Sequence, residues 1–273
     1  EHKWKMAKDL KADDVLVTSR RAIDGTKTNF MYMNHIEMTA HIAWLLGIVH
    51  SKDHESCDAD DHIKWKFDKQ DYKVALRLHD ILHHLEDILG LEHHANIDMI
   101  YTDTQYIVST SHIKDLLGEH FAQKRIPCFI KNAHLDVRLG YIAGIIDGNI
   151  HARSLSGDNR RAFKICQMHT DEIDFVRSLQ ILCYSCGFET RFSMTSDHVT
   201  LSAITRHSLN TLISIPMLIK YVDVNTYLDT NMYLHNVNSF PAKMVRGKNK
   251  FGRRFLYNLG IHNLKNITMD VYD

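Results

Sequence analysis

His79, His83 and His84, followed by Glu86, are the side chains whose types and spacing first suggest chemistry. Residues four apart share one face of a helix, so two imidazoles there could hold a metal ion. The pattern lacks the Glu between the histidines that a zinc-hydrolase helix carries. The chain's 20 histidines are also scattered, at His41, His50, His54, His112, His120 and His134 among others, so they read as compositional bias rather than a metal centre. Cys183 and Cys186 form a lone Cys-x-x-Cys pair, and zinc would need two more ligands. The pair falls in the helical pattern Phe175, Val176, Leu179, Leu182, Cys183, Cys186, where thiols pack as small hydrophobes. Five cysteines in no regular framework favour a reducing compartment.

Anion binding is the other chemistry suggested. Lys243, Arg246, Lys248, Lys250, Arg253 and Arg254 fall close together, interleaved with Gly247, Asn249, Gly252, Phe251 and Phe255. That composition suits a loop lying along phosphates, or equally a solvated surface loop. The formal net charge is zero, but it divides unevenly. Residues 1–137 carry 17 Lys and Arg against 22 Asp and Glu, and residues 138–273 carry 16 against 11. With 44% hydrophobic and 24% charged residues, the composition is that of a globular chain long enough for two domains. Three prolines argue against a long linker. No run of 18 apolar residues and no N-terminal apolar core is present, which predicts a soluble, intracellular protein without a membrane partner. The opening Glu suggests an excised piece of a longer chain.

Hydrophobic periodicity supplies the elements that must position these groups. It predicts helices over about 37–50 and 71–90, strands over 63–67, 97–101 and 105–109, and a short helix over 112–117. The second half repeats that order: helix 138–148, strand 162–168, helix 171–186, strands 190–194 and 198–204, helix 208–213. The repeat is visible in the residues themselves. Leu45-Leu46-Gly47-Ile48-Val49-His50-Ser51-Lys52-Asp53 recurs in diverged form 97 residues later, as Ile142-Ala143-Gly144-Ile145-Ile146-Asp147-Gly148-Asn149-Ile150. Gly47 and Gly144 would let two helix backbones approach closely.

These two segments resemble the motif helices of the LAGLIDADG homing endonucleases, and more closely their intein-encoded branch, of the vacuolar ATPase type. His41 to Gly47 resembles the first helix and Tyr141 to Asp147 the second; Lys124-Arg125-Ile126-Pro127-Cys128-Phe129 is similar to the approach to the second helix. The resemblance implies an α+β monomer of two pseudo-symmetric half-domains, each a helix-packed antiparallel sheet forming a DNA-binding saddle. It divides the chain into 1–36, an N-terminal segment bordering a splicing or DNA-recognition region; 37–137 and 138–240, the two halves; and 241–273, the basic loop and a C-terminal border. The partner implied is double-stranded DNA, read in the major groove. Candidate contacts are Lys64, Lys66, Thr102, Gln105, Lys164, Gln167, His169, Arg191, Ser193, Thr200 and Ser202, with Lys243, Arg246, Lys248, Lys250, Arg253 and Arg254 of the basic segment.

The family's reaction is double-strand cleavage with magnesium held between two acids, one at the eighth position of each motif. Here those positions are Lys52 and Asn149, so the resemblance implies a binding domain that no longer cuts. Asp53 and Asp147 are the nearest acids that could replace them, which leaves open an active endonuclease with displaced ligands. Lys124 matches a lysine near the family's active site, and Lys220 is the best-placed counterpart. A non-catalytic regulatory module and a purely structural insertion are the remaining alternatives. Glu1 and the closing Tyr272-Asp273 supply none of the groups that self-splicing requires.

Overall fold

The computed structural model describes residues 36–52, 54–57, 62–89, 97–111, 124–153, 163–203 and 206–220, with Val15–Leu16, Gly25, Met31–Tyr32 and Lys243–Met244. Three short strands come first: β1 (Val15–Leu16), β2 (Met31–Tyr32) and β3 (Ile36–Glu37), the last two paired antiparallel. Helix α1 (Ala40–Ser51) starts where Thr39, in extended conformation, accepts the Ile42 N–H on its hydroxyl at 3.4 Å. Every residue from Ile42 to His50 is buried. A helix apolar on all sides must lie inside the molecule.

Two sheets flank this core. The first contains β4 (His54–Cys57), β5 (His62–Asp68), β6 (Asp98–Tyr101) and β7 (Gln105–Thr110), antiparallel in the order β4-β5-β7-β6. Helix α2 (Tyr72–Leu89) packs against it. Alternation along β5 buries Ile63, Trp65 and Phe67 and turns Lys64, Lys66 and Asp68 to the other face. After the short α3 (Cys128–Lys131), α4 (Leu135–Gly148) leads into the second sheet. There β8 (Phe163–His169), β9 (Thr190–Met194) and β10 (His198–Ala203) pair antiparallel in the order β8-β10-β9, under α5 (Ile173–Ser185). Helix α6 (Arg206–Ile213) follows, and β11 (Lys243–Met244) pairs with β1.

Helix α5 stops on Gly187, whose φ of 84° is open to glycine. The Gly187 N–H bonds to Tyr184 O and the Phe188 N–H to Cys183 O, which closes the helix and buries Phe188. Cys183 and Cys186 are buried with it. Burial pushes the Cys183 thiol well above its ordinary value and that of Cys186 up to about 11, so neither is a ready nucleophile or metal thiolate.

The chain is thus a mixture of helices and antiparallel sheets, and the order α1, β5, α2, β6, β7 recurs as α4, β8, α5, β9, β10. Strand β4, which pairs with β5 through a hairpin, is the element that periodicity left undefined. The short helix expected over 112–117 lies outside the described residues. Among the described residues no helix is long and apolar enough to cross a membrane.

Candidate nucleic-acid interface at the helix feet

Among the described elements, helices α1 and α4 are the most extensively packed pair. A Cβ on Gly47 would lie 2.3 Å from Tyr141 O, and one on Gly144 would lie 2.1 Å from Trp44 O. At these two glycines backbone therefore meets backbone, with no room for a side chain. Toward the helix ends, a Cβ on Gly148 would lie 2.1 Å from the Ser51 hydroxyl, so the two last turns stand side by side.

Beyond these ends opens a cleft of about 620 Å³. The helix feet contribute Ser51, Lys52, Gly148 and Asn149; the first sheet contributes Lys64, Lys66, Asp68 and Gln105; the second contributes Gln167, His169 and His198. Lys124, His151, Asp171 and Glu172 complete the polar lining. The register explains how the sheet residues face the same way. Lys64 stands opposite Ser109, Lys66 opposite Ile107 and Asp68 opposite Gln105. Gln167 stands opposite Thr200 and His169 opposite His198, while Ser202 faces Lys164 on one side and Arg191 on the other.

Lys52 and Asn149 are the residues that terminate the two helices. The Lys52 N–H closes α1 on Ile48 O at 2.8 Å, and its ammonium lies 5.1 Å from the centre of the Phe67 ring. The Asn149 side chain is committed in both directions: its amide donates to Gln167 O at 3.1 Å, and its oxygen accepts the His151 N–H at 3.0 Å. Lys220 is buried at the same end and donates its ammonium to Asn149 O at 2.6 Å. A cation on a terminal helix carbonyl also answers the negative end of the helix dipole.

Asp147 does not line the cleft. Its carboxylate is buried and accepts the Trp44 indole N–H at 2.8 Å, the Ile219 N–H at 3.1 Å and the Lys220 N–H at 2.8 Å. Burial raises its pKa to about 6, against the pull of those bonds toward the charged form. As a displaced metal ligand it is therefore in the wrong place, because its oxygens are already spent on holding α1, α4 and the 219–220 segment together. Asp53 lies outside the described residues.

Lys124 reaches the cleft and pairs with Glu172. Lys164 donates to Gln167 Oε1 at 3.0 Å, and His169 Nδ1 lies 2.9 Å from Asp171 Oδ1. Arg191 is exposed on β9. Thr102 is set apart from this surface and caps the β6–β7 turn, exchanging bonds with Gln105 at 3.0 Å. Lys243 belongs to strand β11 rather than a loop; Arg246, Lys248, Lys250, Arg253 and Arg254 lie outside the described residues. Periodicity missed Asp68, His151, Asp171, Glu172 and His198. Asp171 and Glu172 carried a usable signal, since acids directly after a strand ending in His169 reach the same rim.

Magnesium does not fit the described donors at the helix feet. An ammonium and a carboxamide already bonded on both sides stand where hard anionic oxygens are needed. Among the described residues no group of three or more His, Cys, Asp or Glu side chains could hold a metal ion.

The sequence matches no family model and no curated protein. Solved structures similar to the chain include the homing endonuclease I-DmoI in complex with DNA and Mn, 13% identical, which covers 68% of this chain and 99% of that one at a TM-score of 0.45. The N-terminal LAGLIDADG domain of DUF199/WhiA is 12% identical and covers 66% and 83% at 0.41. Full-length DUF199/WhiA from Thermatoga maritima is 11% identical and covers 74% and 63% at 0.41.

Proposed function

We propose that the chain is a LAGLIDADG-type domain of the intein-encoded branch that binds a long duplex DNA site as a monomer and does not cut it. The carrying observation is the cleft at the joined ends of α1 and α4, bordered by the polar faces of both sheets. In this reading residues 37–137 and 138–240 are pseudo-symmetric halves, and each sheet face enters the major groove on one side of the cleft. Lys64, Lys66, Lys164 and Arg191 meet phosphates or base edges. Lys52 and Lys124 stand near the central phosphates, where the acids that would hold a metal have been replaced.

A binding and cleavage assay tests this on duplexes spanning the host gene with the insertion removed, in EDTA, magnesium and manganese, for the chain and its K52D/N149D variant. The expected result is site-specific binding without cutting by the chain, and metal-dependent cutting by the variant. Binding no tighter than to random duplex would sink the DNA reading. Cleavage by the unmodified chain would sink the loss of activity and place the metal on other acids.

A further inference from the structure

We propose that His79 and His83 form a two-imidazole chelate for a transition-metal ion, Cu²⁺, Ni²⁺ or Zn²⁺, on the outer face of α2. Their Nε2 atoms lie 3.2 Å apart, and the rings meet edge to face with centroids 4.5 Å apart. Two imidazole nitrogens bound to one ion at about 2.0–2.1 Å stand roughly 2.9 Å apart at a right angle and roughly 3.3 Å apart at the tetrahedral angle. The separation of this hydrogen-bonded pair therefore matches the bite of a chelate, which an ion completes once the ring that donates moves its hydrogen from Nε2 to Nδ1. The four-residue spacing along α2 supplies it, because one turn of helix brings the side chains onto the same face.

Asp80 supports the assignment. Its Oδ1 lies 3.7 Å from His79 Nδ1, beside the ring nitrogen that does not face His83. Metal-bound histidines commonly have a carboxylate near that second nitrogen. His79 is partly buried and so held in place, while His83 is exposed. Water fills the remaining positions. Two neutral nitrogen donors suit the late first-row ions, with Cu²⁺ the tightest, and reject magnesium, which wants oxygen. The scattered histidines of the sequence hid this pair, since i, i+4 spacing alone does not show that two rings converge. Neither residue lines the cleft, so the site stands or falls apart from DNA binding.

Calorimetric titration of the full chain with CuCl₂, beside H79Q/H83Q and H169Q/H198Q, tests the chelate. The tightest Cu²⁺ event is expected in the chain and in H169Q/H198Q, and weakened at least tenfold in H79Q/H83Q. Saturating Zn²⁺ should raise the Tm of the chain and leave that of H79Q/H83Q unmoved, because an ion bound only to the native helix stabilises it. H83Q alone removes one exposed donor without touching the core and should show the same loss. A first Cu²⁺ event of undiminished affinity in H79Q/H83Q or H83Q would overturn the proposal.

Discussion

Trp44 donates its indole N–H to Asp147 at 2.8 Å across the seam between α1 and α4, and a second bond repeats this one in reverse. His50 Nδ1 lies 2.7 Å from the Tyr141 hydroxyl. Tyr141 stands 97 residues after Trp44, and Asp147 stands 97 residues after His50, so corresponding positions of the duplicated segment exchange bonds crosswise. Both pairs are buried in an otherwise apolar contact. A polar atom there is tolerated only with its partner, so the crossed bonds fix the register in which the two helices meet.

The Asp147 carboxyl gives this seam a pH dependence of unusual sign. Its folded pKa is raised to about 6 from 3.8, mainly by burial, so the folded chain holds that proton more firmly than the unfolded chain does. The resulting stability is fully present below about pH 4 and is lost as pH rises through about 6. D147N is neutral throughout and lacks this loss. Urea unfolding of both forms should show the difference between chain and variant moving against the chain by about 2 kcal/mol from pH 4 to pH 7. A difference that stays constant over that range would show that the group titrates as an ordinary carboxylate.

Close approach of the helix backbones predicts that adding a methyl group is costly. In G144A the new Cβ would stand 2.1 Å from Trp44 O, and in G47A 2.3 Å from Tyr141 O. Both contacts are with backbone, which can yield only if the helices separate. Each variant should lose about 3 kcal/mol or more in denaturant unfolding, despite the better helix propensity of alanine. Losses under 1 kcal/mol would mean that the seam is looser than drawn.

Periodicity located the strands and helices around this seam to within a few residues, because Ile63, Trp65 and Phe67 alternate and Val74, Leu78, Ile81 and Leu85 follow a helix face. Gly47 and Gly144 were legible from the repeat. The roles of the residues beyond them were not. Asn149 is occupied by Gln167 and His151, and Asp147 by Trp44, Ile219 and Lys220. Bonds from Asp147 to positions 72 and 73 residues away leave no local pattern in the sequence. Lys124 was legible as a candidate, but its partner Glu172 became identifiable only once α5 and the segment before α3 were brought together.

Replacing Asn149 by Asp removes a donor and sets a carboxylate oxygen 3.1 Å from the Gln167 carbonyl. Repulsion there should destabilise N149D by about 1–3 kcal/mol in EDTA. If acids at both helix feet make a cation site, adding K52D should create a metal requirement. The double variant should then regain Tm on titration with Mg²⁺ or Mn²⁺, whereas the unmodified chain should not respond. Thermal unfolding in EDTA and in each metal measures this. An indifferent double variant would show that two acids at the helix feet do not suffice to hold a cation.

The polar sheet faces predict how DNA affinity depends on salt. Lys64 and Lys66 project from the face of β5 that borders the cleft, opposite the buried Ile63, Trp65 and Phe67. A lysine that neutralises a phosphate releases a counterion, and each such contact adds about 0.9 to the slope of log K against log salt. K64A/K66A should therefore flatten that slope by about 2 and weaken binding, with no change in unfolding beyond about 0.5 kcal/mol for surface truncation. R191A, on β9 of the other sheet, tests the second face separately and should flatten it by about 1 if Arg191 meets a phosphate. If it meets a base edge instead, R191A should relax sequence preference at one position, with a loss of about 1–3 kcal/mol on the preferred site. Fluorescence anisotropy over a salt series on preferred and scrambled duplexes separates these outcomes, and slopes unchanged in every variant would mean that DNA does not lie across these faces.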